Sequence, residues 1–119
     1  MITRTFVAKY GSSAFLPPPF PGTETICPIT CYRDLKEEGR TMHHCVGSYS
    51  GRVMSGSTYI YRVLEPERAT LELCFNNSTG AWEIGQLHLV CNGTPLNVTR
   101  ESVAKWLEKE KLQELRRVA

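Results

Sequence analysis

The alternation in "ATLELCFN", Ala69–Asn76, leaves this chain fewer folds than any other feature. Ala69, Leu71, Leu73 and Phe75 share one parity, and Thr70, Glu72 and Cys74 share the other. Successive side chains on a strand point to opposite faces, so the segment predicts a strand with one apolar and one polar face. The turn-forming "NNSTG" follows and then "AWEIGQLHLVC", Ala81–Cys91, which together predict a hairpin. In that second strand Trp82 and Ile84 have one parity, whereas Leu87, Leu89 and Cys91 have the other. A bulge at Gly85 reconciles the two sets and brings Glu83, Gln86 and His88 together on the polar face. Upstream, "STYIYRVL", Ser57–Leu64, is rich in β-formers and predicts a third strand.

The segments around these strands read differently. "AFLPPPFPGTETICPI" carries five of the seven prolines, which excludes helix and central strand and predicts an extended arm over residues 1–29. Its Phe15, Leu16, Phe20 and Ile26 predict that it lies against the domain. The opening "TFVAKY" has the composition of a short strand. "TCYRDLKEEG" predicts a helix capped by Thr30 and stopped at Gly39. Thr41 is placed to cap a second helix through "MHHCVGSYSGRVMSG", with Gly47 and Gly51 leaving a stripe without side chains. The closing "NVTRESVAKWLEKEKLQELRRVA" predicts an amphipathic helix from near Thr99, with Val103, Trp106, Leu107 and Leu115 facing inward. The sum is an α+β fold of two N-terminal helices, a three-stranded antiparallel meander and a C-terminal helix, in one domain spanning residues 1–119.

Composition narrows the function classes. No window offers the roughly 20 apolar residues of a membrane span, and "MITRTFVAKYG" has no apolar run typical of a secretory signal, so a cytoplasmic protein without a membrane partner is expected. Five cysteines, an odd number, then imply reduced thiols. Residues 1–98 hold eight Lys/Arg against eight Asp/Glu, and residues 99–119 hold six against four. The excess is too small and too interleaved with glutamate to predict nucleic-acid binding.

Chemistry concentrates in "EGRTMHHCVGSY", Glu38–Tyr49, where His43 and His44 directly precede Cys45. Cys27, Cys31, His43, His44 and Cys45 are soft ligands, but neighbouring His44 and Cys45 diverge on a helix and no second pair follows, so neither a metal nor another cofactor is expected. A thiol in a helix's first turn has a lowered pKa, and a nearby imidazole can take its proton. Cys45 as nucleophile, with His44 or His88 as base, is therefore one reading. A packed thiol within a polar binding pocket is the other.

The stretches "LPPPFPGTETICPI", "LKEEGRTMHHCVGSY", "RATLELCF" and "IGQLHLVCN", followed by a helix containing Trp106, resemble the PcfJ-like family of bacterial proteins found on conjugative plasmids and other mobile elements. The resemblance runs from about Leu16 to Trp106. It implies association with a plasmid or phage and carries no reaction with it. The positions that inherit the family pattern are His44, Cys45, Tyr49, Glu72, Gln86 and Asn92, with His43 and His88 matching less closely. Expected from the two lines together is an accessory protein that binds a protein partner, host defence machinery being one candidate, through a pocket of His43, His44, Cys45, Tyr49, Glu72, Gln86 and Asn92. The alternative is a cysteine-dependent hydrolase or transferase.

Overall fold

In the computed structural model, residues 14–44 and 50–118 are described. Cys45, Tyr49, Gly47 and the "TFVAKY" stretch fall outside them. The described elements run β1 (Ile26–Pro28), α1 (Tyr32–Met42), α2 (Ser50–Met54), β2 (Thr58–Val63), β3 (Ala69–Asn76), β4 (Ala81–His88), a 3-10 turn (Val90–Asn92) and α3 (Asn97–Val118). The fold is α+β, with a four-stranded antiparallel sheet in the order β1-β2-β3-β4.

Strand register explains how this sheet is covered. Tyr59, Tyr61 and Val63 of β2 sit opposite Leu73, Leu71 and Ala69 of β3, and opposed residues share a face. All six are buried. Across from them α3 supplies Val103, Trp106 and Leu107, and Trp106 meets the rings of Tyr61 and Phe20 edge-on at 5.0 and 6.3 Å. The other face presents Ile60, Arg62, Thr70, Glu72 and Cys74 to α1 and α2, with contacts from Glu38 to Thr70 and from Arg52 to Glu72. The sheet is thus a middle layer, apolar toward α3 and largely polar toward α1 and α2.

The proline-rich arm lies along the apolar side, as its hydrophobic residues predict. The Tyr59 hydroxyl donates to the Leu16 carbonyl at 2.8 Å, and the Tyr61 hydroxyl donates to the Phe20 carbonyl at 2.6 Å while accepting from the Phe20 N–H at 3.1 Å. Gly22, at φ 82°, turns the chain, and the Thr23 hydroxyl accepts the N–H groups of Thr25 and Ile26. That turn delivers the arm into β1.

The structure departs from the sequence expectations in several places. The sheet has a fourth strand, because Ile26–Pro28 pairs with Val63–Tyr61 at the edge of the sheet, where proline is tolerated. Helix α1 begins after Cys31 rather than at a Thr30 cap and runs through Gly39 and Thr41 to Met42. Leu35, Glu38, Gly39 and Met42 form its buried stripe, and packing of that stripe outweighs the glycine penalty of about 1 kcal/mol. The helix stops at His43, which takes the left-handed conformation at φ 54°. Of the second helix expected from Thr41, Thr41 and Met42 belong to α1 and Ser50–Met54 form α2, and nothing lies within 4 Å of where a Gly51 side chain would start, so no backbone approaches there among the described residues. Strand β4 ends at His88 because Cys91 and Asn92 adopt φ of 55° and 59°, outside the extended range. Helix α3 starts at Asn97, and its Leu115 is 66% exposed rather than buried.

Candidate functional site

The bulge expected at Gly85 organises the polar face. Register shifts between Glu72 and Leu73: Glu72 pairs with Gln86 and Leu73 with Ile84, leaving Gly85 as the extra residue. Beyond the shift, Thr70 pairs with His88 and Cys74 with Glu83. Glu83, Gln86 and His88 therefore stand on the same face as Thr70, Glu72 and Cys74. A side chain at Gly85 would begin 2.6 Å from Cys74 Sγ and 3.1 Å from Glu72 Oε1. With glycine there, the Cys74 thiol and the Glu72 carboxylate occupy the space that a side chain would take.

Helix α1 places Glu38 over this face. The residue is 1% exposed, and a buried carboxylate is tolerable only when its oxygens are bonded and its charge is met. Arg68 holds it with both guanidinium nitrogens, Nη1 donating to Oε2 at 3.0 Å and Nη2 to Oε1. Arg62 Nε donates to Oε1 at 3.4 Å, and the Thr70 hydroxyl donates to Oε2. Burial pushes the Glu38 pKa up, but the bonds from Arg68 and Thr70 and the charges of Arg68 and Arg62 outweigh it and leave the carboxyl below its ordinary value.

The same hydroxyl reaches His44, whose Nε2 lies 3.1 Å from Thr70 Oγ1. A hydroxyl has one proton, and here Glu38 takes it. With that proton committed, His44 Nε2–H is the donor to Thr70, and this bond orients the ring. Burial lowers the His44 pKa, against a hydrogen bond with its own backbone and the Glu38 charge, and nearby His88 and Arg68 lower it further. Burial thus favours the neutral imidazole, and the chain of carboxylate and hydroxyl orients it.

Glu72 is the second buried carboxylate of this face, 6% exposed. Its Oε2 finds no hydrogen-bond donor among the described residues, and Arg52 Nη1 stands 3.6 Å away. Across the ladder Gln86 is exposed and His88 half-buried. Burial and the Glu72 charge push the Cys74 thiol up, so this cysteine is a poor nucleophile. Among the described residues no group of three or more His, Cys, Asp or Glu is arranged to hold a metal ion.

Of the residues expected at the site, His44, Glu72, Gln86 and His88 share one face. His43 does not join them: it is the exposed stop of α1, where backbone geometry claims it. Asn92 is exposed in the 3-10 turn with a positive φ and makes no side-chain bond to the cluster among the described residues. Cys45 and Tyr49 lie outside those residues. Glu38, Arg62, Arg68 and Thr70 were not expected. The signal for Glu38 was its position on the stripe with Leu35 and Met42, where a carboxylate must find a partner on whatever the helix covers.

A family model described as "PcfJ-like protein" matches residues 20–104. The match takes in β1 through the first turns of α3, and with them every residue of the polar face. No curated protein and no solved structure matches the chain.

Proposed function

The chain belongs to the PcfJ-like protein family, and from that premise we propose that it is a cytosolic accessory protein of a plasmid or phage that binds a protein partner through the polar face of its sheet. One observation carries this reading: Gln86 and His88 stand on the outer strand of the polar face, exposed and half-buried, and make no side-chain hydrogen bond among the described residues, while Glu72 beside them is buried against Arg52. Two accessible side chains that can both donate and accept, held on a rigid strand beside a buried ion pair, suit the polar groups of a partner. By contrast Glu38, Arg68 and Thr70 spend their bonds on one another and serve as the frame.

The test is affinity capture from the bacterial host with tagged chain, comparing the parent with Gln86→Ala/His88→Ala, followed by binding measurements on each purified candidate. The reading expects at least one partner whose affinity falls about tenfold or more in the double variant, the scale of a lost polar anchor. Partners retained with equal affinity by both chains would sink it.

A second reading rests on the oriented neutral imidazole of His44, adjacent in sequence to Cys45: a cysteine-dependent hydrolase or transferase. Brief iodoacetamide treatment at mildly acidic pH separates the two, because an activated thiolate alkylates ahead of the other four cysteines. Equal, slow labelling of Cys45 would dispose of the enzyme.

A further inference from the structure

Strand β4 is the outer strand of the sheet, eight residues long, and its ladder partner is β3 alone among the described residues. Glu83, Ile84, Gly85 and Gln86, its middle, are exposed. Alternate backbone N–H and C=O groups along such an edge point away from the sheet, and an extended chain is the structure that matches their spacing. At the start of β4 the edge opens into a groove of about 410 Å³ between Phe20, Ala81 and Trp82 on one side and Lys111, Glu114 and Leu115 of α3 on the other. Exposed Leu115 and partly exposed Trp82 make it predominantly apolar.

We propose that β4 is a strand-addition site: a protein partner pairs an extended segment with this edge and places an apolar side chain in the groove. Main-chain bonds then give affinity and the alternating side chains give selectivity. The two faces of the added strand meet different surroundings. On one side lie Trp82, Ile84 and Leu87, and on the other Glu83, Gln86 and His88. The fitting segment is therefore amphipathic, apolar toward the groove and bearing Lys or Arg opposite Glu83. A second copy of this chain fits poorly, since "AWEIGQLH" contains no Lys or Arg to set against Glu83, and the bulge at Gly85 bends the edge away from flat self-pairing. This inference rests on the protein-binding reading and specifies the partner's conformation and charge.

The probe is a phage-displayed library of random dodecapeptides selected on the full chain, with hydrogen exchange read at the amides of residues 81–88. The expected result is selected peptides with alternating apolar residues and at least one Lys or Arg. They should slow exchange across β4 and bind Glu83→Lys about tenfold more weakly, with that variant's own melting curve confirming its fold. Peptides that bind while β4 amides exchange unchanged would overturn the proposal, leaving the polar-face reading to its own test. So would outward-facing β4 amides, those not bonded to β3, already slow in the dilute free chain, which would mean its own residues occupy the edge, or slowing that grows with protein concentration, which would mean a second copy does.

Discussion

The Thr70 hydroxyl carries two bonds at once, giving its proton to Glu38 and accepting that of His44. Thr70→Val keeps the shape and strips both, leaving a buried carboxylate short of one donor and an imidazole N–H without an acceptor. The expected loss is about 1–3 kcal/mol by denaturant titration, the range for an unmet buried polar group, with Thr70→Ser losing far less. Acid should act on the same cluster in two stages. Burial depresses the His44 pKa, so the folded chain binds fewer protons there than the unfolded chain once pH falls below about 6.5. Stability is therefore complete above that value and declines as pH falls toward the folded pKa. Glu38, also depressed, adds a second decline below its ordinary value of 4.5. Melting temperatures across this range should show both, and His44→Gln should remove the first alone. An unchanged first stage in that variant would assign it to another group.

At the scale of elements, the closest fit is between β3 and β4 at Gly85. A methyl group there would begin 2.6 Å from Cys74 Sγ and 3.1 Å from Glu72 Oε1, so Gly85→Ala must shift the strand or swing the carboxylate, at about 1–3 kcal/mol. Gly51 is the contrast: it sits in α2 with nothing within 4 Å of its would-be side chain, and Gly51→Ala should stabilise by about 0.5–1 kcal/mol. Thermal melts of the two variants should move in opposite directions. The bulge was legible because its cause is local: Trp82 and Ile84 disagree in parity with Leu87 and Leu89, and one extra residue resolves them. Strand β1 was not, since Ile26–Pro28 is held by β2, a partner more than thirty residues away, and its proline argues against pairing. The end of α1 was misplaced for a related reason. Gly39 is a stop signal by itself, but Glu38 and Met42 on either side of it are both buried, and no local rule knows what they are buried against. Likewise the polar face could be read from alternation, whereas Glu38 joining it from another element could not.

Across the whole molecule, Trp106 ties the layers together. Its ring, 7% exposed, meets Tyr61 of the sheet and Phe20 of the arm, while Tyr61 bonds both backbone groups of Phe20. Helix, sheet and arm thus converge on one aromatic cluster. Burial pushes the Tyr61 pKa far above its usual value, which keeps the hydroxyl protonated and able to donate. Trp106→Ala removes the cluster's centre and should cost about 3–5 kcal/mol, a large share of the 5–15 kcal/mol that typically separates folded from unfolded chains. Tyr61→Phe tests the arm separately: it keeps the ring against Trp106 and deletes the two bonds to Phe20. If the arm is held chiefly by those bonds, limited proteolysis should cut between Leu16 and Thr25 in Tyr61→Phe before the sheet melts. If ring packing suffices, the arm should resist protease until global unfolding. Leu115→Ala makes the complementary point, because a side chain 66% exposed contributes little to the core and should change stability by no more than about 0.5 kcal/mol. A loss for Leu115→Ala approaching that of Trp106→Ala would mean that the end of α3 is packed in solution and that the groove beside β4 is closed.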